Sequence, residues 1–254
     1  MMNGFFGFIR LRICITIAFI AASGFLLQNR PSAAIIPVVS VAFLIFAGGY
    51  AYNNMKDVKE DSFNRGGINP LSGSRAGLAV VSALFLTGIG FSAMLPLPAV
   101  AVALLMLAAS VSYSALRIKQ YTLLKNAYTG LSIPLAFLFG CFAGHAPPEG
   151  FMAYYSALSL FIFTGSMISD LRDIRGDERT GIGTLAVRMG FERTKFLSCA
   201  LLAMCALLML MLPAMVILLP FALAALALVR MNMMSRAHSV GGASMIALAV
   251  WMAA

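Results

Sequence analysis

The sequence predicts an all-α integral membrane protein on three observations. Of its 254 residues 61% are hydrophobic, only 11% are charged, and nearly all of that charge lies between long apolar runs. A soluble domain carries about 25% charged residues. A hydrocarbon core about 30 Å thick takes about 20 apolar residues at about 1.5 Å of rise each, so successive spans consume almost the whole chain.

Apolar runs bounded by charge, proline or glycine place helices near 9–28, 33–55, 75–95, 97–115, 125–145, 150–170, 194–212, 214–231 and 240–254. The divisions at Pro96 to Pro98 and at Pro213 rest on proline interrupting apolar sequence. Arg10 and Arg12 precede the first run as they would in a signal peptide, but its length and the runs that follow favour a first transmembrane helix.

Basic residues test this count, because Lys and Arg accumulate on cytoplasmic flanks. With the N-terminus and every second loop on one side, 17 of the 18 Lys and Arg fall there and Arg30 alone lies opposite. One missed or invented span reverses part of that pattern. The expectation is therefore about nine transmembrane helices in a single bundle, N-terminus cytoplasmic, with residues 1–254 forming one polytopic domain. Topology, anionic lipid and an anionic substrate account for the net charge of +9. It implies no nucleic-acid partner and no obligate protein partner. Four cysteines, Cys14, Cys141, Cys199 and Cys205, sit inside apolar runs without metal-ligand spacing.

Eight of the nine acidic residues share the basic side. At the end of the second run the chain reads NNMKDVKED. At about 100° per residue, Asn53, Asn54, Asp57 and Asp61 fall on one helix face. At the end of the sixth run it reads DLRDIRGD, and the i, i+3, i+7 spacing puts Asp170, Asp173 and Asp177 on one stripe. Three carboxylates on a stripe repel one another unless a cation neutralises them. Oxygen donors with no His or Cys nearby favour magnesium completed by waters and substrate phosphate. The plainer reading is that such runs are solvated charges at helix ends. Two similar stripes more than 100 residues apart, both on the expected cytoplasmic side, weigh against it.

These two motifs resemble those of the UbiA-type superfamily of intramembrane prenyltransferases, which carry NDxxDxxxD after the second helix and DxxDxxxD after the sixth. The stretches YSALRIKQYTLLKN and GDERTGIGTLAVRMG are similar to further family segments, and the resemblance runs from about Arg10 to Gly190. It implies that Asn53, Asp57, Asp61, Asp170, Asp173 and Asp177 hold Mg2+ and a diphosphate, with the five Asp residues and Lys119 catalytic. It also implies substrate-binding roles for Asn53, Asn54, Tyr113 and Asn126. Lys119 alternatively reads as an interfacial anchor. Two positions depart from the pattern: Asn54 stands where the family has Asp, and Ile68 where it has Arg, so that Arg65 is the candidate to take over that phosphate contact.

The resemblance further implies that magnesium between the motifs binds an isoprenyl diphosphate whose tail lies in a central cavity opening toward lipid. Ionisation there yields a carbocation-like species that a water-poor site protects. Tyr50, Tyr52, Phe161 and Phe163 are candidate cation-facing aromatics, although aromatics at helical spacing more often serve packing. His145 and His238 carry no expected role. The acceptor is a lipid such as geranylgeranylglyceryl phosphate or, as the alternative, an aromatic quinone precursor of the 4-hydroxybenzoate kind. An ion-coupled transporter is the alternative from another class, but its charges usually lie near mid-bilayer on broken helices.

Overall fold

Helices form wherever the sequence sustains a long apolar run, because the bilayer leaves backbone groups no partner except one another. The computed structural model describes residues 4–58, 69–144, 147 and 149–254, and they contain helices and turns but no strand. The helices are α1 (Phe5–Phe8), α2 (Leu11–Leu26), α3 (Ile35–Lys56), α4 (Arg75–Ser92), α5 (Leu97–Ala115), α6 (Thr122–Ser132), α7 (Leu135–Ala143) and α8 (Phe151–Thr180). There follow α9 (Leu185–Met189), α10 (Phe191–Met211), α11 (Leu219–Arg230) and α12 (Met234–Ala253).

Every expected apolar run corresponds to helix among the described residues. Seven segments are long and apolar enough to cross a membrane, with Thr122–Ala143 and Pro213–Arg230 each counted as one; α2 is apolar but shorter, at 16 residues. Large side chains point outward along them: Leu86, Leu97, Phe196 and Met211 are between 74% and 80% exposed. Lipid tails are as apolar as leucine, so such exposure is stable only in a membrane. The protein is an integral membrane protein.

Prolines divide the helices where the sequence suggested, and in one further place. Pro96 is extended (ψ 147) ahead of α5, and Leu212 is extended before a 3-10 turn over Pro213–Leu218 that leads into α11. The fifth run, expected as one helix, is interrupted at Ile133 and Pro134 between α6 and α7. Proline has no N–H to donate and its ring crowds the preceding turn, which breaks the ladder there.

The chain folds as two compact units, Met1–Ile118 with Leu135–Pro147, and Lys119–Pro134 with Pro148–Ala254. In the first, α2 packs on α3 and α7, α3 on α4 and α5, and α5 on α7. Its core is filled by Phe8, Ile17, Ile45, Met106, Phe137 and Phe139. The crossing of α2 and α7 is close: a Cβ on Gly24 would lie 2.0 Å from the Phe137 carbonyl oxygen, and one on Gly140 would lie 2.0 Å from that of Ala21. Small residues permit such approach, which replaces the missing hydrophobic drive between helices in lipid. In the second unit, α8 packs on α6, α9, α10 and α12, and α11 packs on α10 and α12, around Leu158, Met167, Leu202, Met209 and Leu248.

Candidate functional site

Each acidic motif sits at a helix end, and each is described within its own unit. In the first, the last turn of α3 carries Asn53 and Asn54, both buried, and the helix stops at Lys56. Asp57 caps it with non-helical backbone (φ −97, ψ 20), and its N–H donates to the Asn53 carbonyl at 2.9 Å. Asn53 and Asn54 thus lie on the helix and Asp57 at its cap. Asp61, Arg65 and Ile68 lie outside the described residues, as does His145.

Asn53 organises this end. Its amide nitrogen donates to Asp57 Oδ2 at 2.9 Å and to Ser114 Oγ, on α5, at 3.2 Å. Its Oδ1 accepts from Arg10 Nη2 at 3.0 Å, and Asn54 Oδ1 accepts from the same nitrogen at 3.2 Å. Asn54 Nδ2 donates to the Phe8 carbonyl at 2.6 Å. A carboxylate has no proton for that carbonyl, which is a physical reason for the amide at position 54. Tyr113, in the last turn of α5, is half-buried.

Arg10 was legible in the sequence only as a basic flank. It links α1 to α2 in left-handed backbone (φ 51), and its guanidinium stands 5.2 Å from the centre of the Tyr50 ring. Arg10→Ala removes the donor shared by two amide oxygens, at a cost of about 2 kcal/mol. A lowered thermal midpoint in detergent, with Arg10→Lys intermediate, is the expected result. An unchanged midpoint would show that water replaces the guanidinium at no cost.

In the second unit the helix does not stop where the apolar run does. α8 continues for 30 residues, about 45 Å, through the whole motif. It ends at Gly181, whose left-handed backbone (φ 72) lets the Ile182 N–H reach the Asp177 carbonyl at 2.9 Å. The spacing forecast of helical carboxylates is met, but their surroundings differ. Asp170 and Asp177 are buried, whereas the Asp173 side chain is 48% exposed. Asp173 accepts two hydrogen bonds from its neighbour Arg172, at 2.8 and 2.6 Å.

Asp170 is fully enclosed. Lys125 Nζ, on α6, donates to its Oδ1, and Asn126 Nδ2 donates to its Oδ2 at 3.1 Å. Ser166 Oγ in turn donates to Asn126 Oδ1 at 3.2 Å. Asp177 is 6% exposed and its Oδ2 meets no hydrogen-bond partner among the described residues. Lys119 sits half-buried in a 3-10 turn, Ile118–Gln120, just before α6. His238 is paired with Ser169 at 3.1 Å. Among the described residues, no three His, Cys, Asp or Glu side chains converge into a ready-made metal site. The donor chemistry nevertheless fits magnesium: hard carboxylate and amide oxygens, with the buried Asp177 Oδ2, which lacks a hydrogen-bond partner among the described residues, included.

Residues 11–244 match the model of the UbiA prenyltransferase family. The chain belongs to that family. Among its relatives is the digeranylgeranylglyceryl phosphate synthase of Sulfurisphaera tokodaii, 33% identical over 171 residues, which are 65% of this chain and 60% of the relative. The synthase of the same name from Methanothrix thermoacetophila is 31% identical over 74% of this chain and 69% of its own length. The UbiA fold itself extends over almost the full chain. A UbiA homologue from Archaeoglobus fulgidus, solved with DMAPP and Mg2+, superposes with a TM-score of 0.80 at 17% identity, covering 98% of each chain. A homologue from Aeropyrum pernix K1 gives 0.79 at 18% identity over 94% of this chain and 95% of that one.

Proposed function

We propose that this UbiA-family protein is a magnesium-dependent prenyltransferase. It moves an isoprenyl group from a polyprenyl diphosphate to a lipid-type acceptor such as geranylgeranylglyceryl phosphate. The observation that carries the reading is the pair of oxygen-donor clusters at helix ends in a family member whose relatives are named as synthases of this kind. On this reading Asn53, Asp57 and Asp61 hold magnesium at one motif, Asp170, Asp173 and Asp177 hold it at the other, and Lys119 contacts the diphosphate. Asn54, Arg65, Tyr113 and Asn126 help to bind it.

Magnesium, when bound, supplies charge that stabilises the departing diphosphate. In the reaction the allylic carbon to oxygen bond breaks, its electron pair leaves with the diphosphate, and the acceptor hydroxyl oxygen attacks the carbon and gives its proton to the released diphosphate. Asn53 orients Asp57 through the 2.9 Å hydrogen bond from its amide. Asn126 orients Asp170 in the same way. The apolar helices exclude water, which would otherwise quench the cation. The segregation of 17 of 18 basic residues supports a cytoplasmic location for both motifs.

Purified protein given geranylgeranyl diphosphate and Mg2+ should release diphosphate and form a lipid product with geranylgeranylglyceryl phosphate. EDTA should abolish both. Product only with 4-hydroxybenzoate would move the protein to the aromatic branch, and no product with either acceptor would remove the assignment.

A further inference from the structure

We propose that Lys125 is a resident cation of the second acidic motif, occupying on Asp170 the place that a divalent ion would otherwise take. This rests on the proposed role of that motif in binding magnesium. The motif's three carboxylates are not equivalent. Asp173 is neutralised by Arg172 at the exposed side, and Asp170 by Lys125 within the protein. Asp177 is left as the carboxylate with a buried oxygen, Oδ2, lacking a hydrogen-bond partner among the described residues. A divalent ion therefore engages Asp177 and the exposed Asp173 first, and coordination by Asp170 requires that Lys125 be displaced.

The contact is built into the fold. Asp170 has no exposed surface, and a buried carboxylate is tolerated only when a charge and hydrogen bonds compensate it. Lys125 provides the charge and Asn126 the second hydrogen bond, from adjacent positions on α6. Ser166, one helical turn before Asp170, fixes the Asn126 amide. The start of α6 is held in place by Thr122 Oγ1, which donates to the Gly183 carbonyl at 2.5 Å. The Lys125 side chain is only 20% exposed, so its ammonium is directed inward, where it pairs with one Asp170 oxygen and its charge also acts on Asp177. A divalent ion approaching Asp170 meets this ammonium and must displace it or bind elsewhere.

Mn2+ binding to the full-length protein in detergent, counted by electron paramagnetic resonance with and without inorganic diphosphate, tests the inference without turnover. Lys125→Met should tighten Mn2+ binding by about tenfold or add one bound ion. Lys125→Arg should resemble the wild type, and the double variant Lys125→Met/Asp170→Asn should lose the gain, because the vacated carboxylate is gone. Elution as a single species and melting in EDTA establish folding, with Lys125→Met less stable in EDTA and restored by Mn2+. Unchanged or weaker Mn2+ binding in folded Lys125→Met would overturn the role of Lys125 and leave the proposed function standing. Absence of Mn2+ binding in both the wild type and folded Lys125→Met, with and without diphosphate, would overturn both.

Discussion

Asp57→Asn and Asp173→Asn should each lower prenyl transfer by at least about 10²-fold, the scale for losing one preorganised electrostatic group at a transition state. Both should leave the fold intact, and the structure says why these two positions are diagnostic. Asp57 lies at the end of α3, where an amide oxygen can still accept the hydrogen bond from Asn53. Asp173 is 48% exposed and paired with its sequence neighbour, an arrangement worth about 1 kcal/mol or less to folding. Asp170→Asn is a poorer probe, since it strands Lys125 in a buried site and confounds stability with chemistry. Product formation at saturating Mg2+, measured beside thermal unfolding in detergent, separates the two. Wild-type turnover in a folded variant would remove that carboxylate from the site.

The largest loss of stability should come from Gly140→Val. The added side chain begins with a Cβ 2.0 Å from the Ala21 carbonyl oxygen and 2.7 Å from the Phe25 nitrogen, so backbone rather than a flexible side chain would have to move. Overpacking of this kind typically costs about 1–3 kcal/mol, and the requirement for two helices to separate puts the cost at about 3 kcal/mol or more. Gly24→Val, on the facing helix, should behave alike, because its Cβ would meet the Phe137 carbonyl at 2.0 Å. Gly90, with nothing near its Cβ position, is the control: Gly90→Ala should leave the melting temperature unchanged or slightly raised. Equal melting of Gly140→Val and Gly90→Ala would show that α2 and α7 do not pack this closely in the bilayer.

Much of this architecture was legible along the chain. Apolar runs determine helices in a bilayer because backbone groups there can be satisfied only within the segment. The periodicity of Asp170, Asp173 and Asp177 likewise specified carboxylates on one helix, and α8 carries them so. The continuation of α8 to Thr180 was less visible, because its last turns are polar and a search for apolar runs stops short of them. The interruption at Ile133 and Pro134 carried a proline signal, but the surrounding run was long enough to read as one span.

By itself, then, the sequence determined the class of protein, the positions of its spans and the oxygen-rich character of its two motifs, because these depend on local composition and helical period. Only the tertiary structure decided what surrounds each oxygen. Lys125 and Asp170 are 45 residues apart, and Arg10 and Asn53 are 43 apart. No periodicity along one helix says which side chain of another helix will reach it. Burial then set the consequences: Asp170 required a partner, Asp173 remained at the exposed side, and Asp177 kept a buried oxygen without a hydrogen-bond partner among the described residues.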